Sequence, residues 1–231
     1  MNNYDKALSL CLPDPKIEIR KWMHSPFIIG DKAYSTNAYL MCVAPVSKLG
    51  QEYGTLEQYD PERIVRNIPE PKEAILTATR EDMRFILDHC PKVNEMEVIQ
   101  NEIKCRSCDG VGEVEWEYYF DKETHYDYFE CPVCSGDGLM QKEIKKESGN
   151  KILDPEALVK CGMSVFRMAA FKTVIDICEV MESDAELVHQ DKPLGASLFR
   201  VGDLLLLVMP VMQDSIDDKT FFNLKSKTNE Q

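Results

Sequence analysis

The organisation of the sequence depends on two copies of one eight-residue pattern, CRSCDGVG at residues 105–112 and CPVCSGDG at residues 131–138. Both copies read Cys-x-x-Cys-x-Gly-x-Gly, and 22 residues separate Cys108 from Cys131. Two Cys-x-x-Cys knuckles in one chain are typical of a tetrahedral zinc site with four thiolate ligands. The sequence therefore predicts one structural Zn²⁺ in a closed shell. Its predicted ligands are Cys105, Cys108, Cys131 and Cys134.

Three alternatives to this interpretation stay open. Cys-x-x-Cys also serves as a redox dithiol, and the cysteines could be present without any metal. Two pairs with matched glycines favour metal, because glycine permits the positive φ and the close backbone approach that a metal knuckle needs. His125 lies between the knuckles and could replace one thiolate, but four cysteines already complete the shell.

The segment between the knuckles is predicted to be a β-hairpin. Residues 113–118 alternate acidic and apolar side chains, which is strand patterning, and residues 121–124 supply a turn. Seven acidic residues and one lysine lie between positions 113 and 130, and this charge repels phosphate. The hairpin is therefore a candidate surface for protein clients, or it only closes the metal loop. The candidate contact residues are Trp116, Tyr118, Tyr126 and Tyr128.

The double pattern resembles the cysteine-rich zinc region of DnaJ-type chaperones over residues 105–138. That family carries four such repeats and two zinc ions, whereas this chain has two repeats, enough for one ion. The His-Pro-Asp tripeptide of a J-domain does not occur in the sequence. The resemblance implies zinc ligation by the four cysteines and a hairpin-shaped module. It does not imply a chaperone activity.

The segments on either side of the knuckles predict an α+β fold with antiparallel sheets and helices. Helices are predicted at residues 3–12, from the cap at Thr79 to His89, and at 166–181, where apolar residues recur at three- and four-residue steps. Strands are predicted at residues 17–22, 26–30, 38–43, 186–189, 196–201 and 204–211. Turns are predicted at residues 30–32 and 35–37, a charged linker at 142–151, and loops with short elements at 47–80.

The two ends of the chain share one order of elements. Each predicts a helix followed by about three strands, and VAPV at residues 43–46 closes the first set as VMPV at 208–211 closes the second. The C-terminal set is similar to the last unit of bacterial sliding clamps, which ends in an apolar strand and a Met-Pro turn. Residues 30–46 are similarly placed to a strand-turn-strand of a clamp repeat. The resemblance implies a clamp-like repeat, DNA or replication proteins as partners, and a ring-forming homo-oligomer.

Clamps carry basic residues on the helices that face DNA. The candidates here are Lys160, Arg167 and Lys172. Five helical positions separate Arg167 from Lys172, about 140° around the axis, so the two do not form a stripe. A solvated helix face explains each of them, and no DNA site is assigned to them.

The predicted domains are an α+β body from residues 1–100 and 149–212, a zinc hairpin inserted at 101–148, and a flexible tail at 213–231. The body is expected to hold two clamp-like repeats. Phe221, Phe222 and Leu224 are the apolar exceptions in the tail.

Charge and composition limit the compartments in which the protein is expected and the classes of partner that it is expected to bind. The net charge of −13 over 231 residues opposes non-specific adhesion to nucleic acid or anionic membrane. No apolar run approaches the roughly 18 residues of a membrane span, and no secretory signal is recognised. The nine cysteines are an odd number, which favours a reducing compartment over a disulfide framework. The expected localisation is cytoplasmic, without membrane association.

No catalytic arrangement is recognised. Gly-x-Ser-x-Gly, Walker A and His-Glu-x-x-His are absent, and His24, His89 and His189 lie apart without flanking ligands. The predicted function is a non-enzymatic, sliding-clamp-like, DNA-associated accessory protein with a zinc module for partner contact. The alternative is a zinc-stabilised chaperone-like or adaptor protein that binds polypeptides without DNA. An enzyme with its catalytic residues at 47–100 ranks third.

Overall fold

The computed structural model describes residues 1–56, 63, 65–211 and 220–224. The chain divides into two compact units. We call Met1–Lys92 together with Leu153–Gln231 the body, and Val93–Ile152 the insertion.

The elements are numbered in chain order. The α-helices with described bounds are α1 (Asn3–Leu10), α2 (Arg80–His89) and α3 (Met168–Met181). The strands are β1 (Phe27–Ile29), β2 (Lys32–Thr36), β3 (Leu40–Pro45), β4 (Leu76–Ala78), β5 (Lys92–Lys104), β6 (Glu113–Phe120), β7 (Glu123–Glu130), β8 (Leu139–Leu153), β9 (Leu158–Cys161), β10 (Ser164–Arg167), β11 (Ala185–His189), β12 (Ser197–Val201), β13 (Leu204–Val208) and β14 (Thr220–Leu224). Short 3₁₀ turns lie at Lys21–Met23 and Val46–Lys48. Antiparallel sheets with helices confirm the predicted α+β class.

A seven-stranded sheet forms the centre of the body, in the order β1-β2-β3-β13-β12-β11-β4. Two antiparallel three-stranded segments, β1–β3 and β11–β13, meet where β3 pairs antiparallel with β13, from Val43 opposite Leu205 to Leu40 opposite Val208. One helix precedes each segment, and α1 and α3 contact each other. The two ends of the chain therefore form two adjoining three-stranded parts of one sheet, and β4 adds a seventh strand at the edge beside β11.

Apolar side chains cover both faces of this sheet, as the apolar run of β13 predicts. Leu204, Leu206 and Val208 are fully buried in the larger cluster, while Leu205 and Leu207 pack against a second cluster. The larger cluster contains three buried rings whose centroids lie 5.9 to 6.3 Å apart. These rings are Phe166, Phe171 and Phe199.

A smaller sheet has the order β10-β9-β14. The strand β14 pairs parallel with β9, although residues 220–224 are predicted to belong to a flexible tail. That expectation is wrong for this segment, because Leu224 is buried in the core and Phe221 and Phe222 pack against it. The other residues predicted as tail, 213–219 and 225–231, lie outside the described residues.

Residues 17–22 were predicted to form a strand, and this prediction is wrong. The segment turns at Ile17 and enters a 3₁₀ turn at Lys21, with Ile17 and Ile19 80% and 90% exposed. Side chains occupy the backbone donors that a strand would use: the Asp14 carboxylate accepts from Lys16 N–H and the Glu18 carboxylate from Arg20 N–H, each at 2.9 Å. Such local hydrogen bonds compete with sheet formation.

Two polar segments form strands that the sequence analysis did not predict. Residues 32–36 form β2 and overlap both predicted turns, at residues 30–32 and 35–37. Residues 142–151, predicted to be a charged linker, belong to β8, which pairs with β5. Polar side chains join β8 to β5: Ser148 donates to Glu95 at 2.8 Å, and Asn94 donates to Glu147 at 3.0 Å.

Among the described helices none is long and apolar enough to span a membrane.

The helix α2 begins with the predicted cap at Thr79. The Oγ1 of Thr79 accepts a hydrogen bond from Asp82 N–H at 3.1 Å, and the N–H of Thr79 donates to the Asp82 carboxylate at 2.9 Å. Replacing Thr79 with alanine should lower the free energy of unfolding by about 1 kcal/mol, because a backbone donor loses its acceptor. Denaturant unfolding measures this, with Thr77→Ala, exposed in β4, as a control expected within about 0.5 kcal/mol of wild type. Equal losses in both variants would contradict the capping role.

Candidate metal centre

The two knuckles lie at equivalent places in the insertion. Residues 105–112 connect β5 to β6, and residues 131–138 connect β7 to β8. Each knuckle binds the other through its backbone: Cys105 N–H donates to the carbonyl of Gly138 at 2.8 Å, and Cys131 N–H donates to the carbonyl of Gly112 at 2.7 Å. These reciprocal bonds bring the two cysteine pairs together.

All four cysteine sulfurs converge on one point. Their Sγ atoms lie within 4.8 Å of one another, and the side chains are at most 8% exposed. The Cys105–Cys131 and Cys108–Cys134 sulfurs are 3.8 and 3.7 Å apart, too far for disulfides, in which the sulfurs lie about 2.05 Å apart. The four predicted ligands therefore form a group that can hold one metal ion.

Backbone donors surround the sulfurs. Gly112 N–H donates to Cys108 Sγ at 3.3 Å, and Gly138 N–H donates to Cys134 Sγ at 3.2 Å. Burial opposes ionisation at Cys131, but hydrogen bonds from the backbone N–H groups of Cys134 and Val133 outweigh it and lower the pKa of Cys131 to about 7. Burial raises the pKa of Cys134 to about 11. Metal binding at such a site releases protons.

The second glycine of each knuckle faces backbone. Gly112 and Gly138 have φ of +91° and +69°, and a Cβ on either would collide with a carbonyl oxygen of the opposite knuckle, that of Gly136 or Gly110 respectively. The first glycines also have positive φ, but a Cβ on Gly110 or Gly136 would meet only the side chain of Lys104 or Glu130. The knuckles are thus in backbone contact at Gly112 and Gly138.

The hairpin β6–β7 has two different faces. Residues opposite each other share a face, and the register runs from Glu113 opposite Glu130 to Phe120 opposite Glu123. We call one side the aromatic face; it carries Val114, Trp116, Tyr118, Phe120, Phe129, Asp127, His125 and Glu123. We call the other the glutamate–tyrosine face; it carries Glu113, Glu115, Glu117, Glu130, Tyr119, Tyr126, Tyr128 and Thr124.

The four predicted contact residues therefore do not share one surface. Trp116 and Tyr118 lie on the aromatic face, while Tyr126 and Tyr128 lie on the glutamate–tyrosine face. His125 stacks on Tyr118, with ring centroids 5.3 Å apart, and it is not part of the four-sulfur group. Strand alternation, with the turn at residues 121–124, was the signal in the sequence that could have separated the two faces.

The other singled-out residues do not gather into a site. Arg167 pairs with Glu156 at 3.1 Å, and Lys172 pairs with Asp176 one helical turn away at 2.6 Å. The ring of His89 stacks on Phe85, with centroids 3.7 Å apart, and His24 hydrogen-bonds the Glu18 carbonyl at 2.7 Å. Among the described residues, the four cysteines are the one group of Cys, His, Asp or Glu side chains that could hold a metal.

A groove in the body was not predicted from the sequence. It has a volume of about 410 Å³ and is lined by Tyr39 and Arg167 together with residues 209–211. The half-exposed Met209, which follows an apolar strand, was the signal that could have indicated it. The closing Met-Pro of the second half of the sheet thus lines an open, mainly apolar depression.

Comparisons with known proteins concern the fold. No family model matches the chain, and no curated protein does. Three solved structures are similar, each at 10% sequence identity. A DNA polymerase sliding clamp from Pseudomonas aeruginosa has a TM-score of 0.45, and the match covers 91% of this chain and 64% of that one. A putative DNA polymerase III beta subunit from Eubacterium rectale and pol III beta from Caulobacter crescentus both have a TM-score of 0.42, with coverage of 94% and 92% of this chain and 64% and 65% of theirs. This chain spans slightly less than two thirds of their length. The DnaJ resemblance rests on the two cysteine repeats alone.

Proposed function

We propose that the chain is a non-enzymatic, DNA-associated accessory protein of the sliding-clamp type, with a zinc-stabilised module for partner contact. The observation that carries the proposal is the paired arrangement of the body. The helix α1 with β1–β3, and α3 with β11–β13, meet at β3 and β13 in one sheet. This is the arrangement expected of two clamp-like repeats.

Further support comes from the ends of the two halves. The strand β3 ends at Pro45, and β13 is followed by Met209 and Pro210, as the sequence resemblance to clamps expects. The groove beside Met209 offers a place for an apolar peptide of a replication partner, since ligand pockets are concave and mostly apolar. A body of two repeats cannot enclose DNA alone, so the proposal requires several chains in a ring.

A ring that encircles DNA should behave differently on circular and on linear DNA. The chain should be retained on nicked circular DNA and released when the circle is cut, because a ring can slide off a free end. Size-exclusion chromatography of DNA–protein mixtures before and after cutting measures this, and analytical ultracentrifugation measures the oligomer. A monomer that ignores duplex DNA even at low salt would contradict the proposal.

We propose that the ion is zinc. A tetrahedron with Zn–S bonds of about 2.3 Å has S–S edges of about 3.8 Å, and the Cys105–Cys131 and Cys108–Cys134 sulfurs are 3.8 and 3.7 Å apart. Four soft thiolates suit Zn²⁺, and they leave no open position for a water or substrate, so its role is structural. Elemental analysis should find about one zinc per chain.

A second candidate function is a polypeptide-binding adaptor that does not use DNA. The exposed rings of the hairpin favour it: Trp116 is 56% and Tyr119 72% exposed, and large exposed apolar surface marks interaction sites. The DNA-retention experiment separates the two functions, because an adaptor that does not bind DNA would not be retained on nicked circular DNA.

A further inference from the structure

The glutamate–tyrosine face of the hairpin is exposed and strongly charged. Its three tyrosines are 60 to 72% exposed, and its four glutamates are all exposed. None of these glutamates forms an ion pair with another residue in the part of the chain that the structure describes. The face thus presents four carboxylates that have no cationic partner among the described residues.

The register repeats one motif along this face. Glu115 lies opposite Tyr128, and Glu117 lies opposite Tyr126, so each of these two carboxylates has an aromatic ring as its cross-strand neighbour. Directly opposite residues have Cβ atoms about 4.5–5.5 Å apart. A lysine or arginine placed there meets a carboxylate and a ring together, combining an ion pair with a cation–π contact. Successive pairs are two residues, about 6.8 Å, apart.

The third pair on this face carries the same sign of charge on both strands. Glu113 lies directly opposite Glu130, and like charges at opposite positions destabilise a hairpin. Both residues adjoin the knuckles, where four thiolates on a divalent ion leave a formal charge of about −2. A cation bound at this end of the hairpin would relieve the repulsion.

The aromatic face differs in charge and in packing. Its rings contact one another: the centroids of Trp116 and Phe129 are 5.8 Å apart, and Tyr118 stacks on His125 at 5.3 Å. It carries two acidic residues, Glu123 and Asp127, against four on the opposite face. The stronger charge complementarity to a cationic ligand therefore belongs to the glutamate–tyrosine face.

We infer that the glutamate–tyrosine face binds an extended basic segment of a protein partner, with lysine or arginine at every second position. Alternate side chains of an extended segment are about 6.8 Å apart, the same spacing as the carboxylate–ring pairs. Nucleic acid and a second copy of the face both carry negative charge, which opposes their binding here. The inference rests on the proposed role of the insertion in partner contact and names the chemistry of that partner.

The first test is binding of synthetic peptides to the full, zinc-loaded chain by isothermal titration calorimetry. One peptide alternates lysine and threonine over ten residues, a second has the same composition in two blocks, and a third alternates glutamate and threonine. We expect the alternating lysine peptide to bind, the block peptide to bind about five-fold more weakly, and the acidic peptide not to bind. Equal binding of the two lysine peptides, or no binding of either, would overturn the inference.

The second test compares two double variants with the same change in net charge. Glu115→Gln with Glu117→Gln removes carboxylates from the glutamate–tyrosine face, and Glu123→Gln with Asp127→Asn removes them from the aromatic face. We expect the first to weaken binding of the alternating peptide about ten-fold and the second less than about two-fold. Equal weakening would mean that net charge alone attracts the peptide, and the inference would be wrong.

Two readouts keep this test separate from the proposed function. Zinc content per chain should be unchanged in both variants, which shows that the insertion still folds. Retention on nicked circular DNA should not fall in either variant, because the carboxylates that are removed repel phosphate and do not bind it. Loss of peptide binding with DNA retention intact concerns the hairpin face alone, whereas an unmodified chain that is not retained on DNA contradicts the proposed function and not this inference.

Discussion

Removing the proposed zinc ion, by chelation or by Cys131→Ser, should unfold the insertion and leave the body folded. The insertion is described throughout, and its only buried side chains larger than glycine are the four knuckle cysteines. It therefore has no apolar core to hold its strands without metal. Structural zinc of this kind couples about 10–16 kcal/mol to folding, the largest single contribution we expect in this chain.

The measurement combines elemental analysis with hydrogen exchange. Zinc should fall from about one per chain to near zero in Cys131→Ser, and amide protection should be lost across residues 93–152 but retained in the strands around β3 and β13. Cys90→Ser is the matched control, because Cys90 is also buried but lies outside the four-sulfur group. Protected amides in β6 and β7 after complete zinc removal would show that the metal is not what holds the insertion together.

Replacing Gly112 with alanine should weaken zinc binding about 100-fold or more, while Gly110→Ala should weaken it less than about ten-fold. Both glycines have positive φ, so both variants carry backbone strain. Only at Gly112 does the new Cβ collide with a backbone carbonyl, that of Gly136. Relief of this clash requires the two knuckles to separate, which moves the cysteine pairs apart.

Competition with a chromophoric chelator measures the zinc affinity of both variants. The same contrast should appear in the second knuckle, where Gly138 faces the Gly110 carbonyl and Gly136 faces the Glu130 side chain. Gly138→Ala should therefore behave like Gly112→Ala, and Gly136→Ala like Gly110→Ala. If all four variants lose affinity equally, positive φ and not the close approach of the knuckles is the cause.

The cysteine group, the helix α3 and the cap of α2 were predicted from short sequence patterns. The convergence of the cysteines follows from spacers that fix each pair, and α3 follows from apolar residues at helical steps that end, as predicted, at Met181. The capping box at Thr79 uses residues three positions apart. Each cysteine pair, the helix and the cap are decided within one short stretch of sequence, whereas the meeting of the two knuckles also uses the hairpin between them.

The features that were missed depend on distant partners. The strands β5 and β8 pair with each other but are exposed along almost their whole length. They therefore lack the alternation of buried and exposed residues that would indicate a strand. The strand β14 forms because β9 is available beside it. The groove beside Met209 combines residues from both ends of the chain, so no single window of the sequence contains it.

The pairing of β3 with β13 also bears on how the chain folds. Val43 and Leu205 are neighbours in the sheet but lie far apart along the chain, and contacts of such high sequence separation slow folding. The insertion closes on itself, and Asp154 N–H bonds the Pro91 carbonyl at its base at 2.8 Å. If the proposed zinc ion closes the insertion first, about 60 residues no longer add to the length of the loop that must close. During synthesis, the supply of metal would then affect how quickly β13 pairs with β3.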